Sequence, residues 1–191
     1  MTTSFEKKLA FGRVAEQHIA RWLRFRCDCM VLPVYELELD SGKGPQLFTP
    51  DDELVATDLL SIGPKGVKWI EAKHKSVFTW YNAGQRWETG IDLRHYRDYL
   101  RIADITDWPV WLLFLHEETI PAAKDLERWP DCPSVCPNGL FGGDLARLRT
   151  REAHRSDKHG PTGMVYWAHA TLDRIATYEQ VLQASKHNGR K

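Results

Sequence analysis

Three residues in the first half of the chain have the types and spacing of a site that binds a divalent cation. Asp58 lies in Val-Ala-Thr-Asp-Leu-Leu, and Glu71 and Lys73 belong to Lys-Trp-Ile-Glu-Ala-Lys. Side chains alternate across a β-strand, so Glu71 and Lys73 are predicted to project from the same face. If the two segments form a hairpin, Asp58 lies next to Glu71. Two carboxylates and an ammonium group would then meet at one end of a sheet.

Such a group of side chains suits Mg²⁺ or Mn²⁺ together with a phosphate substrate. Mg²⁺ prefers oxygen ligands and combines one or two carboxylates with water and phosphate oxygens. We expect Asp58 and Glu71 to supply the carboxylates and the backbone carbonyl of Ala72 to supply a further oxygen. The cation would polarise a scissile phosphate and activate a water molecule. Lys73 would position that water and stabilise the developing negative charge.

A fourth candidate, Glu16, lies on the first predicted helix and interrupts a stripe that should face the sheet. The stripe recurs at spacings of three and four residues and consists of Leu9, Gly12, Glu16, Ile19 and Leu23. Burying a carboxylate without a partner is costly, so Glu16 is predicted to contact the metal or a water bound to it. Gly12, one turn earlier, would allow the helix to approach the sheet closely. The alternative is that Glu71 and Lys73 form a surface ladder and that Glu16 pairs with Arg13.

Hydrophobic periodicity and turn residues predict the elements that position these side chains. An amphipathic helix over residues 4–25 comes first, and strands are predicted over 34–40, 54–62 and 67–75. A polar, aromatic segment over 76–90 then precedes a helix over 91–104 and an apolar strand over 110–116. His116 and Glu117, at the end of that strand, are expected to face solvent.

The rest of the chain contains a long segment that lacks a clear period. Residues 117–163 hold five prolines and five glycines, and they are predicted to be an irregular insertion with a short helix over 143–153. A strand over 164–171 and a helix over 172–185 complete the chain. Alternation of helices and strands in this order predicts an α/β fold with a mixed sheet flanked by helices.

Glu16, Asp58, Glu71 and Lys73, in this order and on these elements, resemble the signature of the PD-(D/E)XK nuclease superfamily. The resemblance covers about residues 5–116 and includes the Holliday-junction resolvases of phages and archaea and the RecB-like exonucleases. It implies a restriction-endonuclease-like αβββαβ core with a long insertion before the last strand. It also implies DNA hydrolysis with Mg²⁺ or Mn²⁺. By position, Asp58 and Glu71 would be metal ligands, Lys73 the catalytic lysine and Glu16 the acid of the first helix.

Two departures from the family pattern bear on which branch the chain resembles. Thr57 stands where the motif has a proline, a position at which other residues are common in the family. RecB-like members carry Gln-x3-Tyr on the helix after the lysine, whereas Asp92 and His95 stand four residues before Tyr96 and Tyr99. The resemblance favours an endonuclease that acts on a DNA structure or junction. A RecB-like exonuclease and a non-catalytic DNA-binding protein of the same fold remain alternatives, and a homodimer is expected by analogy.

Two segments have compositions that suit DNA, because cations meet phosphates and rings stack on exposed bases. The first mixes basic and aromatic residues and contains Lys75, Trp80, Tyr81 and Arg86. The second lies in the insertion, would form a phosphate-gripping arm, and contains Arg147, Arg151, Arg155 and Lys158. The alternatives are tryptophans that pack on the sheet and a solvated helix face, respectively.

The four cysteines are predicted to be free thiols, because disulfide frameworks are rare in a cytosolic protein. Two metal sites are alternatives. A tetrahedral zinc site accepts two Cys and two His, which would be Cys132, Cys136, His154 and His159. Cys27 and Cys29 could instead join Cys132 and Cys136 in a four-thiolate zinc or iron–sulfur site. In either case the metal would order the insertion, which could then serve as an interaction module.

Length and charge set the remaining expectations. The 191 residues are predicted to form one domain. The net charge is zero, which argues weakly against a dedicated nucleic-acid binder, because such proteins are often strongly basic. Apolar runs are shorter than the roughly 18 residues of a membrane span, and the first residues lack the apolar region of a signal peptide. A cytoplasmic protein without a membrane partner is expected.

Overall fold

A computed structural model of the protein describes residues 4–34, 45–160 and 162–186. The helices in these ranges are α1 (Ser4–Arg26), α2 (Leu93–Thr106), α3 (Ala123–Arg128), α4 (Leu145–Arg149) and α5 (Tyr178–Lys186). The strands are β1 (Met30–Pro33), β2 (Gln46–Phe48), β3 (Glu53–Val55), β4 (Leu59–Gly63), β5 (Gly66–Lys75), β6 (Thr79–Tyr81), β7 (Arg86–Asp92), β8 (Val110–His116), β9 (Gly139–Asp144), β10 (His154–Ser156), β11 (Met164–Ala168) and β12 (Asp173–Ala176). No helix of the described residues has the length and apolar character needed to cross a membrane.

The central sheet has six strands in the order β1-β4-β5-β8-β9-β12. Its β5–β8 pair is parallel, with Glu71 beside Leu112, and the other pairs are antiparallel. The sheet is therefore mixed, as predicted. In chain order, α1, β1, β4, β5, α2 and β8 supply the helix, three strands, helix and strand of the predicted core. The prediction of an α/β fold with a mixed sheet flanked by helices is confirmed.

The predicted hairpin is formed by β4 and β5, with Leu59 opposite Ile70 and Gly63 opposite Gly66. Gly66 has a φ of +89°, a conformation that favours glycine at a tight turn. The strand predicted over 54–62 is interrupted, because β3 ends at Val55 and pairs with β2 in a separate two-stranded sheet. Most of the strand predicted over 34–40 lies outside the described residues, and β1 precedes it.

The two faces of the central sheet pack against different layers. Ile70 and Leu113 point toward α1 and α5, where they contact Ala15, Ile19 and Val181. Side chains of the opposite parity point toward α2 and a second sheet, and they include Trp69, Leu112 and Phe114. Because the residues alternate in this way, Glu71 and Lys73 lie on the α2 side of β5. Apolar burial on both faces fixes β5 at the centre of the molecule.

The second sheet has four strands in the order β10-β11-β7-β6, and its pairs are antiparallel. The β6–β7 hairpin lies in the polar, aromatic segment over 76–90, for which no helix or strand was predicted. In β7, Trp87, Thr89 and Ile91 alternate with charged residues or glycine. The mixture of charged and aromatic residues obscured this period of two, and both faces of the strand are covered, since Glu88, Thr89, Gly90 and Ile91 are all buried.

Segment 117–163 is not the irregular insertion that was predicted, because it contains α3, β9, α4 and β10. β9 lies within the central sheet, between β8 and β12. Its sequence, Gly-Leu-Phe-Gly-Gly-Asp, has the glycines of a loop. A Cβ atom at Gly142 would lie 2.2 Å from the carbonyl oxygen of Leu112, so close approach of two strands requires glycine there. The helix predicted over 172–185 is also shorter, because β12 occupies its beginning.

Candidate active site

Asp58 meets Glu71 where the hairpin ladder stops. The register of β4 and β5 places Asp58 opposite Glu71, one residue beyond the Leu59–Ile70 pair. Here a side chain replaces the strand backbone as hydrogen-bond acceptor. Oδ2 of Asp58 accepts a hydrogen bond from the backbone N–H of Ala72 at 2.8 Å. The end of β4 therefore positions an acidic side chain against the middle of β5.

Glu71 is almost completely buried, whereas Lys73 reaches the surface. The side chain of Glu71 is 1% exposed and that of Lys73 is 31% exposed, and Oε1 of Glu71 forms an ion pair with Nζ of Lys73. Neither oxygen of Glu71 accepts a hydrogen bond of good geometry from the described residues. The hydroxyl group of Tyr99 is a further close neighbour. Glu71 thus carries a buried carboxylate with unused capacity to bind a cation.

The negative charges of the Asp58 and Glu71 carboxylates repel each other. Burial, and then the charge of Glu71, raise the pKa of Asp58 to about 7. Near neutral pH Asp58 is therefore only partly ionised, and a divalent cation between the two groups would relieve their repulsion.

Lys73 remains charged, although it is partly buried. Burial acts to lower its pKa, but the charges of Glu71 and Asp58 outweigh burial and hold the pKa above the ordinary value. Glu16, on α1, also raises the pKa of Lys73, and its side chain is half-buried. The structure therefore brings Asp58, Glu71 and Lys73 together and places Glu16 within electrostatic range of the lysine. The close helix approach expected at Gly12 is not found among the described residues, because none of their atoms from outside this stretch of α1 lies within 4 Å of a Cβ built there.

Helix α2 contributes two side chains that the sequence analysis did not place in the site. The helix begins after Asp92, whose side chain accepts a hydrogen bond from the N–H of Arg94 at 2.9 Å. His95 and Tyr99 follow one turn apart and so share a face. Burial and the charge of Glu71 raise the pKa of Tyr99, and burial and the charge of Lys73 lower the pKa of His95. The sequence shows that these two residues are four positions apart. It does not show where their face of α2 points, because packing decides that.

Beyond Lys73, the same face of β5 carries a second lysine. Burial, and then the charge of Lys73, lower the pKa of Lys75 to about 8. His116, at the end of β8, was expected to face solvent, but it is 0% exposed. Its ring stacks on Phe78 with centroids 3.6 Å apart and an interplanar angle of 8°. Burial and the charge of Lys75 lower the pKa of His116 to about 3, so the ring is neutral.

Three of the residues predicted to bind DNA lie in the β6–β7 hairpin. Trp80 is 7% exposed, and it packs against Trp87 with ring centroids 5.0 Å apart, so its ring is largely buried. Tyr81 is half-buried, and Arg86 Nε donates to Glu88 Oε1 at 2.7 Å. These three residues line or border a cleft that is described below.

The residues of the predicted phosphate-gripping arm are distributed over α4, β10 and the segments that follow these elements. Arg147, in α4, forms a two-pronged ion pair with Asp173, with nitrogen–oxygen distances of 3.0 and 2.5 Å. Nε of Arg155, in β10, donates to Glu152 at 2.7 Å. Two of the cations are therefore already neutralised by carboxylates, whereas Arg151 and Lys158 are exposed.

The zinc and iron–sulfur alternatives are not supported by the arrangement of the cysteines. Cys132 and Cys136 are buried beside α3, whereas Cys27 and Cys29 follow α1. His154 contacts Glu88 rather than a thiol, with 3.2 Å between Nδ1 and Oε2. Across residues 4–34, 45–160 and 162–186, no group of three or more His, Cys, Asp or Glu could hold a metal ion. The four-ligand site of Cys132, Cys136, His154 and His159 is therefore wrong.

Asp58 and Glu71 fit a different kind of metal site, in which the protein supplies few ligands. Mg²⁺ is commonly held by one or two carboxylates, and substrate and water complete its coordination shell. Of the three side chains, Lys73 reaches the surface, with 31% exposure. The cavity of 510 Å³ beside Trp22 and Trp111 is a separate feature, which Asp58, Glu71 and Lys73 do not line.

Comparison with protein-family models and with curated proteins gives no match. Among solved structures, a Holliday junction resolvase from the archaeal hyperthermophile Archaeoglobus fulgidus is similar to this chain. The TM-score is 0.48 and the sequence identity is 8%, and the alignment covers 89% of this chain and 99% of that chain. What the site does is accordingly inferred from its own side chains.

Proposed function

We propose that the protein is a nuclease that hydrolyses phosphodiester bonds in DNA with Mg²⁺ or Mn²⁺. One observation carries the proposal: Glu71 is buried, lacks well-formed hydrogen bonds from the described residues, and faces Asp58 across the hairpin. Burying a carboxylate costs several kcal/mol unless a cation or good hydrogen bonds compensate for it. Lys73 compensates for one charge of the pair. A divalent cation bound between the two carboxylates would compensate for the second charge.

Each residue has a distinct role in this proposal. Asp58 and Glu71, with the carbonyl oxygen of Ala72, would hold the cation. The cation would neutralise charge on the scissile phosphate and lower the pKa of the attacking water. The ammonium group of Lys73 stays protonated and partly exposed, so it can orient the water and stabilise the extra negative charge. Glu16 would orient a second water from the side of α1.

DNA is the proposed substrate because Lys73 reaches the surface and a second cation lies beside it on the α2 side of β5. Lys75 follows Lys73 on the same face of β5, and a phosphate backbone attracts such side chains. We propose an endonuclease that acts on a DNA structure or junction, as a homodimer, in accordance with the family resemblance. End-dependence of cleavage would instead identify a RecB-like exonuclease. Salt-sensitive binding without metal-dependent turnover would identify a non-catalytic DNA-binding protein.

The test is cleavage of supercoiled, linear, single-stranded and branched DNA in Mg²⁺, with EDTA as the metal-free control. Asp58→Asn, Glu71→Gln and Lys73→Met should each lower the rate by about a hundredfold or more, the loss expected when one charge-stabilising group is removed. Glu53→Gln and Lys68→Met are matched controls, because Glu53 is exposed and Lys68 lies on the other face of β5. Undiminished cleavage by all three site variants would refute the site assignment.

A further inference from the structure

The outer face of the second sheet carries a column of aromatic rings. Residues that lie directly opposite each other on neighbouring strands share a face, and the pairs His154–Tyr166 and Tyr166–Gly90 place three strands side by side. His154 is sandwiched between Tyr81 and Tyr166, with ring centroids 4.5 and 4.7 Å apart and interplanar angles of 20° and 11°. Gly90 leaves room for this column, since a Cβ there would lie 2.8 Å from the ring of Tyr166.

This aromatic column forms one wall of a cleft of 410 Å³, and α3 forms the opposite wall. The volume is in the range of small-molecule sites. On the α3 side the cleft is lined by Lys124, Asp125, Arg128 and Trp129. The guanidinium group of Arg128 lies over the ring of Trp129 at 4.8 Å. Rings therefore stand on both sides of the cleft.

Hydrogen-bonding groups in the cleft are only partly used. Glu88 is buried and is approached by Arg86 and His154. Asp125 is 7% exposed, and its carboxylate accepts a hydrogen bond from the backbone N–H of Trp80 at the long distance of 3.4 Å. The ring of Trp80 lies on the other face of this sheet, where it packs against Trp87, so it does not contribute its indole N–H to the cleft. A ligand in the cleft can donate a hydrogen bond to either carboxylate.

Cations stand at the rim of the same cleft. Lys124 and Arg128 are exposed on α3, and His159 lies across from them, with Nδ1 2.8 Å from the hydroxyl of Tyr166. Flat rings beside the cleft, hydrogen-bonding groups within it and cations at its rim together match one ligand. That ligand has a heteroaromatic ring with hydrogen-bond donors, joined to a phosphate.

We infer that this cleft binds one unpaired nucleotide, whose base lies between the aromatic walls and whose phosphate meets Lys124 and Arg128. Stacking on protein rings tolerates any base, because each base has a π-face. The cleft also lies near the candidate active site along the chain. Thr79, which lines it, is four residues from Lys75, so their Cα atoms are at most about 14 Å apart. One DNA strand could therefore occupy both sites.

That the nucleotide belongs to a DNA strand rests on the proposed function, whereas the binding site itself does not. A free nucleotide and an unpaired nucleotide in a strand offer the same chemistry. Fluorescence titrations in EDTA separate the two sources without turnover. The probes are the four deoxynucleoside monophosphates, a ten-nucleotide single strand and a blunt duplex of the same length, and the tryptophans of the cleft report binding.

The central variant is Lys124→Ala combined with Arg128→Ala, because both side chains are exposed and their loss should leave the fold intact. Its matched control, with the same change of charge, is Lys65→Ala combined with Arg97→Ala, exposed positions outside the cleft. Tyr81→Leu removes a stacking ring and Tyr81→Phe keeps it. Tyr81→Leu should weaken binding of the single strand by about five- to a hundredfold. Tyr81→Phe should not.

Tighter binding of the single strand than of the duplex, lost in the cleft variants and kept in the controls, supports the inference and assigns a DNA strand. Binding of monophosphates alone, with the same pattern of losses, supports the cleft and assigns a free nucleotide. Equal binding by the cleft variants and the wild type, or binding of no probe, overturns the inference. The cleavage assay is independent: loss of cleavage in Asp58→Asn with normal strand binding in EDTA separates the two proposals.

Discussion

Replacing Asp58 by Asn should change how the stability of the metal-free protein depends on pH. The pKa of Asp58 rises from its ordinary value of 3.8 to about 7 on folding, through burial and the charge of Glu71. Between these values the folded protein holds a proton that the unfolded chain releases, so the free energy of unfolding falls as pH rises. Above pH 7 both states are ionised and the loss is complete.

The size of this effect follows from the pKa shift. A shift of about three units corresponds to about 4 kcal/mol at about 1.4 kcal/mol per unit, and about 2–3 kcal/mol of it falls between pH 5 and pH 8. Because Asp58 is half-buried, solvent screening weakens the effect, and these free energies are upper limits. Asn cannot ionise, yet its side-chain oxygen can still accept the N–H of Ala72. The variant should therefore gain stability relative to the wild type by up to this amount from pH 5 to pH 8.

The assay is urea denaturation of both proteins in EDTA at pH 5 and pH 8. Only the difference between the two proteins matters, because every other titrating group is common to both. Saturating Mg²⁺ at pH 8 should stabilise the wild type, by about 2.7 kcal/mol at a hundred times the dissociation constant, and should stabilise the variant less. A stability difference that does not change with pH would refute the reasoning about the carboxylate pair.

Three further changes test other parts of the structure. In EDTA, Lys73→Met should lower the free energy of unfolding by about 1–3 kcal/mol, because it leaves the buried Glu71 without its ion-pair partner; denaturation in Mg²⁺ should show a smaller loss. His116→Phe should make the free energy of unfolding less dependent on pH in the acid range, because burial depresses the pKa of His116 to about 3. In the wild type, stability is present above pH 6.5 and is lost as pH falls toward 3, so the variant should lose about 3 kcal/mol less between pH 7 and pH 4; equal losses would contradict this. Gly142→Ala should cost about 2 kcal/mol or more, because its Cβ would meet the backbone of β8. Gly12→Ala, where a Cβ would meet no other element of the described structure, should raise the melting temperature slightly, and equal effects at the two glycines would contradict the packing of β9.

The candidate site was largely predictable because its geometry is local. Alternation along one strand puts Glu71 and Lys73 on one face, and a short turn fixes which residue of the preceding strand lies opposite. These two rules place Asp58 beside Glu71 without any knowledge of the rest of the chain. These rules could not predict that Tyr99 lies in the site, because packing decides which face of α2 meets β5.

The parts of the fold that could not be predicted are those where local composition and tertiary context disagree. β9 has three glycines in six residues, which suggests a loop, but at Gly142 the backbone of β8 passes too close for any side chain. In β7, charged residues alternate with Trp87 and Ile91, because one face lines the cleft and the other packs in the core. Composition alone does not reveal that a polar face borders a cleft.

The central claim is that the end of the β4–β5 hairpin holds a hard cation against a phosphate. Crystals soaked in Mn²⁺ test it most directly through anomalous scattering. The account predicts a peak that the carboxylates of Asp58 and Glu71 and the carbonyl oxygen of Ala72 coordinate, and no peak there in Glu71→Gln. An absent peak in the wild type at saturating Mn²⁺, or a peak that persists unchanged in that variant, would contradict the account.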